Sequence, residues 1–275
     1  MAELSAHRAL VTGVSSGIGA ALARALARRG AALVLTARRA PALDALAAEL
    51  RREHGVAVDV VAHDLAAPDG PAAVWRAATA GGPVTILVNN AGFGQYRRFG
   101  DVDAARDAEL IALNVAAPVA LAHAFVAAAA ATPRHHMLNV ASMVAWQAIP
   151  HFATYGASKV FVRNFSEALH YELAPRGIAV TCLCPGGTRT EFHALAGAGD
   201  CGRLARAAML DAAPVAEVGI RAMLAGKKTV VPGLLNKLSC WLTGALPRGL
   251  ASRRAARVLG PPRAAPLPPR KPEDR

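Results

Sequence analysis

The chain has 275 residues, 53% of them hydrophobic and 18% charged, with a formal net charge of +12. A length of this order suits one large α/β domain or two small ones, and the apolar share excludes an intrinsically disordered chain. Much of the basic excess lies in 248–275, and Arg far outnumbers Lys in an Ala-rich sequence; both features point to base composition and a basic tail, so no nucleic-acid partner is expected.

At the N-terminus Glu3 and His7 precede the first apolar run, with no separate apolar leader and cleavage site. Pro118 and His123 interrupt the longest apolar stretch, at 115–131, which is expected to fall short of a membrane span. Cys182, Cys184, Cys201 and Cys240 lack CxxC spacing, so reduced thiols in a cytoplasmic setting are expected.

Short apolar runs then alternate with longer helical stretches. Strands are predicted at 9–11, 32–36, 56–62, 86–89, 137–140, 178–183 and 229–231. Helices are predicted near 17–29, 41–53, 70–80, 103–131, 152–175 and 214–225. Strands that read as continuous apolar segments are those of a parallel sheet covered on both faces, and repeated βα units imply a Rossmann-type doubly wound α/β fold. One catalytic domain over 1–233 is expected, followed by an amphipathic basic helical extension at 234–259 and a disordered Pro/Arg-rich tail at 260–275. In the extension Leu234, Leu235, Leu238, Trp241, Leu242 and Leu246 recur at helical spacing, ahead of Arg248, Arg253, Arg254 and Arg257.

The first strand runs into Thr12-Gly13-Val14-Ser15-Ser16-Gly17-Ile18-Gly19 and then a helix. Glycines there let the backbone turn sharply and approach a ligand, and the free N–H groups of a helix start attract a pyrophosphate. The second strand ends in Thr36-Ala37-Arg38-Arg39, with two guanidiniums where an acidic residue would hold an adenosine ribose 2′-hydroxyl. Arg38 beside Arg39 favours a 2′-phosphate, hence NADP(H) over NAD(H), with Ser15 as a further contact. Tyr155 and Lys159 are spaced i, i+4 on a predicted helix, with Ser142 at the end of the preceding strand. A Tyr phenol has a reference pKa of about 10, and an adjacent ammonium favours its ionised form.

In these motifs the chain resembles the short-chain dehydrogenase/reductase family. The resemblance rests on Thr12 to Gly19, Asp64-Leu65, Asn89-Asn90-Ala91-Gly92, Asn114, Ser142, Tyr155 with Lys159, and Pro185-Gly186, in the family's order. It implies that Gly13, Ser15, Ser16, Gly17, Ile18 and Gly19 cradle the cofactor phosphates. By the same resemblance Asp64 and Leu65 contact the adenine, Asn90 and Ala91 the ribose, and Pro185, Gly186, Thr188 and Thr190 close over the nicotinamide. Thr188 departs from the family's more frequent Val or Ile. Tyr155 would be the general acid/base and Lys159 would hold the ribose and lower the pKa of Tyr155. Ser142 would orient the substrate oxygen, and Asn114 would hold a water of the proton relay. Bacterial members with a similar Pro-Gly-Leu-Leu-Asn-Lys stretch carry a comparable extension. A homodimer or homotetramer through the helices at 103–131 and 152–175 is also implied.

The activity so implied is hydride transfer between a nicotinamide and a ketone, aldehyde or secondary alcohol. A membrane-associated reductase of lipid or isoprenoid carbonyls is the alternative; a non-catalytic NADP-sensing regulator is disfavoured because Tyr155 and Lys159 are both present. Phe93, Tyr96, Trp146, Gln147, Ile149, Phe152 and Phe192 flank the motifs, half of them expected in the core, with Phe93, Gln147 and Phe152 chosen as substrate contacts. The 191–210 stretch, with Gly197-Ala198-Gly199, is expected to be mobile and to help shape the pocket. His135-His136 lacks a third ligand at useful spacing, so no metal site is expected, and Cys182 and Cys184 read as buried small hydrophobes. For the extension, packing on the domain is preferred to a lid over the substrate and to contact with an anionic membrane surface.

Overall fold

In the computed structural model, which describes residues 3–129, 134–190 and 208–259, the apolar runs become strands of one sheet. These are β1 (Arg8–Thr12), β2 (Ala32–Ala37), β3 (Val58–Ala62), β4 (Ile86–Asn89), β5 (His135–Val140) and β6 (Ile178–Leu183). Beyond them come β7 (Thr188–Arg189), β8 (Leu210–Asp211) and β9 (Thr229–Val230). The main sheet has the order β3-β2-β1-β4-β5-β6-β9 with every pair parallel, and β7 pairs β8 in a separate parallel ribbon that the sequence did not predict. The chain therefore reverses its winding direction between β1 and β4, the crevice where open α/β sheets bind ligands.

Side-chain alternation assigns each strand to two cores. Val11, Leu33, Leu35 and Ile86 face one layer with α1 (Gly17–Ala27), α2 (Ala40–His54) and Ile220 of a later helix. Leu10, Val34, Leu87 and Val180 face the other, under α3 (Gly70–Ala80) and Phe125. Continuous apolar strands are the consequence of this two-sided cover. Helix α2 shows how the sequence writes such a cover: Pro41 lies in its first turn, Leu43, Leu46, Ala47 and Leu50 form the buried stripe, and Gly55 at φ 64° ends it.

The predicted helix over 103–131 is interrupted. After α4 (Ala104–Ile111), capped by Asp103, comes a π-helical turn at Ala112–Ala116 and then α5 (Ala117–Ala128). Pro118 has no N–H for the carbonyl of Asn114 four residues back, and the wider turn relieves that conflict; the Ala117 N–H instead reaches Ala112 O. Within the run Ala104–Ala128 an 18-residue stretch has a mean hydropathy of 2.0, so the run is long and apolar enough to cross a membrane by length and composition. This corrects the expectation that the apolar stretch is too short, because the helix starts upstream of it. Leu121, Ala122 and Phe125 are nevertheless committed to the core under the sheet.

The remaining helices are α6 (Ala153–Leu173), α7 (Ala212–Leu224), α8 (Leu234–Ala245) and α9 (Arg248–Leu259). The extension is two helices because Leu246 precedes Pro247 and is forced extended, at ψ 149°. Phe192, Cys201, most of the 191–210 stretch and the 260–275 tail lie outside the described residues.

At the start of β5, His135 and His136 are buried, and among the described residues no three metal-binding side chains converge. Burial pushes His136 down to about 4, helped by the nearby His7 and Arg134 charges. Unfolded His136 would protonate near its ordinary 6.5, so the native state loses stability as pH falls through the interval from that value to about 4 and keeps it above. Urea midpoints should therefore drop on acidification across that interval, and His136→Met should flatten the slope. An unchanged slope would remove His136 from the acid lability.

Candidate active site

Geometry at the crevice begins with the glycine turn. Gly13 has φ 70°, and a Cβ there would lie 2.7 Å from Ala91 Cα. A Cβ on Gly19 would collide with Gly13 O and Asn90 Nδ2, so the glycines let α1 settle directly on β1 and β4. Thr12 Oγ1 donates to Val88 O (3.1 Å) and accepts from the Asn90 and Ala91 N–H groups (2.9 and 3.0 Å). Asn90 Nδ2 donates to Thr12 O (2.8 Å) and Gly13 O (3.0 Å). The Asn90 amide, expected at a ribose, is thus engaged in bracing the turn. Ser16 begins α1 in extended backbone without a side-chain cap, which leaves the first-turn N–H groups available beside Ser15, Gly17 and Ile18.

Around this turn stand the other sequence-predicted residues. Thr190 lies against Gly17, where an added Cβ would meet its Cγ2 at 3.0 Å, so the segment after β6 reaches over the start of α1. Pro185 O accepts from Met143 N (2.8 Å), and Thr188, buried, donates from Oγ1 to Gly186 O (3.1 Å). Asp64 Oδ1 accepts from Ala66 N (2.9 Å) in a turn after β3, while the Leu65 side chain belongs to the core. Arg39 reaches Ser15 O at 3.4 Å. Arg38 pairs at 3.4 Å with Glu109, whose other oxygen takes Arg106 at 2.6 Å. Arg106 in turn sits 4.0 Å over the Phe93 ring. This chain of charges from the end of β2 to Phe93 is invisible in sequence, because Glu109 lies 71 residues from Arg38.

The Ser/Tyr/Lys group assembles beyond the ends of β4 and β5. Ser142 caps a short 3₁₀ turn, Met143–Trp146, and its hydroxyl also hydrogen-bonds Tyr155. Lys159, one helical turn on, is buried and donates from Nζ to Val140 O (3.0 Å), 5.8 Å from the Tyr155 ring centroid. Asn114, held by the π-helical turn, binds Phe93 N (3.1 Å) and Phe93 O (2.9 Å), and donates to Ser158 Oγ (3.1 Å). Its Oδ1 and Lys159 Nζ both border Gly92. Ser158 has no distinguishing signal in the sequence, yet it ties Asn114 to α6 by donating onward to Tyr155 O (2.7 Å).

Charge in this cluster differs from the expectation. Burial pushes the Tyr155 phenol up to about 12, against the lowering pull of the Ser142 hydrogen bond. Burial also pushes Lys159 down to about 8, opposed by Cys182 and Cys184. Lys159 directs its ammonium at Val140 O, and burial dominates the phenol.

Of the aromatic residues expected to divide between core and cleft, Tyr96, Ile149 and Phe152 are buried, with the Phe152 ring 5.0 Å from those of Tyr96 and Tyr155. Phe93, Trp146 and Gln147 are half-buried. Ala255 of α9 closes onto the same cluster as Tyr155 and Phe152. Cys182 and Cys184 are buried with Sγ atoms 3.5 Å apart, beside Cys240 of α8.

The fold and the site together define a Rossmann-type oxidoreductase. The sequence matches the short chain dehydrogenase family over residues 7–199. It is 37% identical to an uncharacterized oxidoreductase of Myxococcus xanthus over 196 residues, 70% of this chain and 77% of that protein. The structure is similar to a short-chain dehydrogenase of Sphingobium yanoikuyae solved with NADPH, at TM-score 0.75 and 34% identity, covering 88% of this chain and 96% of that one. It is also similar to a bulky-bulky ketone specific alcohol dehydrogenase of Comamonas testosteroni, at TM-score 0.73 and 31% identity, covering 90% and 98%. The chain belongs to the short-chain dehydrogenase/reductase family.

The crowding at Gly19 gives a direct test. Gly19→Val should force α1 off β1, lowering stability by about 1–3 kcal/mol and weakening nucleotide binding together. Urea unfolding and nucleotide titration of the variant measure both; unchanged values would show that the close approach is dispensable.

Proposed function

We propose that the chain is an NADP(H)-dependent oxidoreductase that moves a hydride between the nicotinamide and a ketone, aldehyde or secondary alcohol. The observation that carries this reading is the convergence of Ser142, Tyr155, Lys159 and Asn114 beside an uncapped helix start at one edge of a parallel sheet. The residues fit a dinucleotide: Gly13 and Gly19 let α1 begin close against β1 and β4 with no side-chain cap on its first turn, and Arg38 and Arg39 stand at the end of β2. The Sphingobium relative was solved with NADPH, which agrees with that pair of guanidiniums.

When bound, the cofactor supplies or takes the hydride. The first-turn N–H groups of α1 hold its pyrophosphate and Arg38 or Arg39 its 2′-phosphate. Ser142 donates to the substrate oxygen, and Tyr155, kept neutral by burial, delivers the proton to that oxygen in reduction. Lys159, as an ammonium, stabilises the charge developing there and holds the cofactor ribose. Asn114, at Gly92 beside Lys159, positions a water that returns the proton. A phenol raised to about 12 stays protonated near neutral pH and is a weak acid, so its proton transfer relies on Ser142 and Lys159 stabilising the charge that develops around it. Phe93, Gln147 and Phe152 line a mostly apolar substrate cleft. Pairing of chains through α4, α5 and α6 belongs to the same reading; Ile111, Phe161 and Tyr171 lie exposed on these helices.

Two variants test it. Tyr155→Phe should lower turnover by about 10²–10⁴-fold and leave NADPH affinity largely intact. Arg38→Asp should erase a preference for NADPH over NADH in fluorescence titrations. Normal turnover in the first would overturn the mechanism, and an unaltered preference in the second would reassign the 2′-phosphate contact.

A further inference from the structure

The extension carries two faces of opposite character. Toward the domain, α8 turns Asn236 and Cys240: Asn236 fills the space beside Gly186 and donates to Pro232 O (3.0 Å), and Cys240 packs with Cys182, Cys184 and Trp146. Away from the domain, Leu234, Leu235, Leu238, Trp241 and Leu242 form one stripe at helical period, with Leu234 82% and Trp241 69% exposed. Helix α9 adds an exposed Leu250 and returns inward at Ala251 and Ala255, the latter in the cluster that contains Tyr155. A contiguous apolar stripe of this size on a monomer surface marks a partner or a membrane.

Charge selects between those occupants. From 234 to 259 the sequence holds Lys237, Arg248, Arg253, Arg254 and Arg257 and no acidic residue. Pairing the stripe with the same stripe of a second copy would bring two acid-free cationic segments together, whereas an anionic lipid surface complements them. An amphipathic helix with Leu and Trp on one face, flanked by basic residues, is the composition that lies in a bilayer interface.

We propose that α8 and α9 dock the protein on an anionic lipid bilayer, with the Leu234–Leu242 stripe entering the headgroup boundary. Because α9 packs on the Tyr155 cluster, docking brings the mouth of the cleft to the lipid surface. The substrate is then a lipophilic carbonyl compound partitioned in that bilayer, a step that rests on the oxidoreductase reading; the docking itself does not.

The test uses the full chain and vesicles of phosphatidylcholine with or without roughly one-third phosphatidylglycerol. The protein should co-sediment with the anionic vesicles only, and less at high salt. Leu238→Ser with Trp241→Ser, both exposed and outside the cleft, should weaken that binding at least about tenfold while thermal unfolding and NADPH titration stay unchanged. Leu234→Asp is a second variant with the same expectation. The double variant should also lose reduction of a long-chain ketone supplied in vesicles and keep reduction of a short water-soluble one. Failure to bind anionic vesicles, or equal binding by the variants, overturns the proposal. A dimer that the variants dissociate, without vesicle binding, assigns the stripe to a second copy instead. Vesicle binding with no reduction of either ketone would overturn the oxidoreductase reading and leave the docking standing.

Discussion

Everything at the site depends on where α6 lies against the carboxyl ends of the strands, and buried polar bonds fix that place. Lys159 donates to Val140 O at the end of β5. Two turns further, Ser166 Oγ accepts from Asn139 Nδ2 (2.9 Å) and donates to Val162 O, and Asn139 Oδ1 accepts from Asn89 Nδ2 (2.9 Å). Apolar packing alone is non-directional and would tolerate sliding of a helix over a flat layer. A chain of buried hydrogen bonds does not, because each broken link leaves an unsatisfied group, costing about 1–3 kcal/mol. Helix, strand and reacting side chains are therefore held in one register.

A second constraint lies across the crevice. Thr12 and Asn90 satisfy backbone groups that the sharp turn before α1 would otherwise strand, and the glycines remove every Cβ that would push α1 away. The first turn of α1 itself has no side-chain cap from Ser16. The two constraints face each other across β1 and β4, and the Arg38–Glu109–Arg106 series runs between the ends they define. The carboxylate of Glu109 lies between the two guanidiniums and offsets their mutual repulsion.

The sheet was legible because a parallel strand covered on both faces must be apolar throughout, and each of the runs read as a strand became one. The Gly turn, Ser142, Tyr155 and Lys159 were legible as spacing. The π-helical turn was not: Pro118 read as an interruption of an apolar run, while its effect is to reshape one turn upstream and bury Asn114. Two-residue strands such as β7 and β8 leave no periodic signal. The break at Leu246 and Pro247 was written in the sequence but was read as part of one helical stretch. The direction of the Tyr155 shift is not legible in spacing for a different reason. Spacing places an ammonium nearby, but burial is set by residues from several distant segments, and burial decides the balance.

One of those segments lies beyond the part of the chain that matches the family. The match ends at residue 199, and Ser142, Tyr155 and Lys159 fall inside it. Yet Ala255 of α9 contributes to the closure around Tyr155 and Phe152, and Asn236 of α8 presses on Gly186. Desolvation of the phenol is therefore partly a property of the extension, and with it the strength of the acid. On the proposed reading, a scaffold shared with many relatives would supply the reacting groups, while a segment outside it packs against them. The proposed acid strength of Tyr155 would therefore depend in part on helices that the shared family match does not reach.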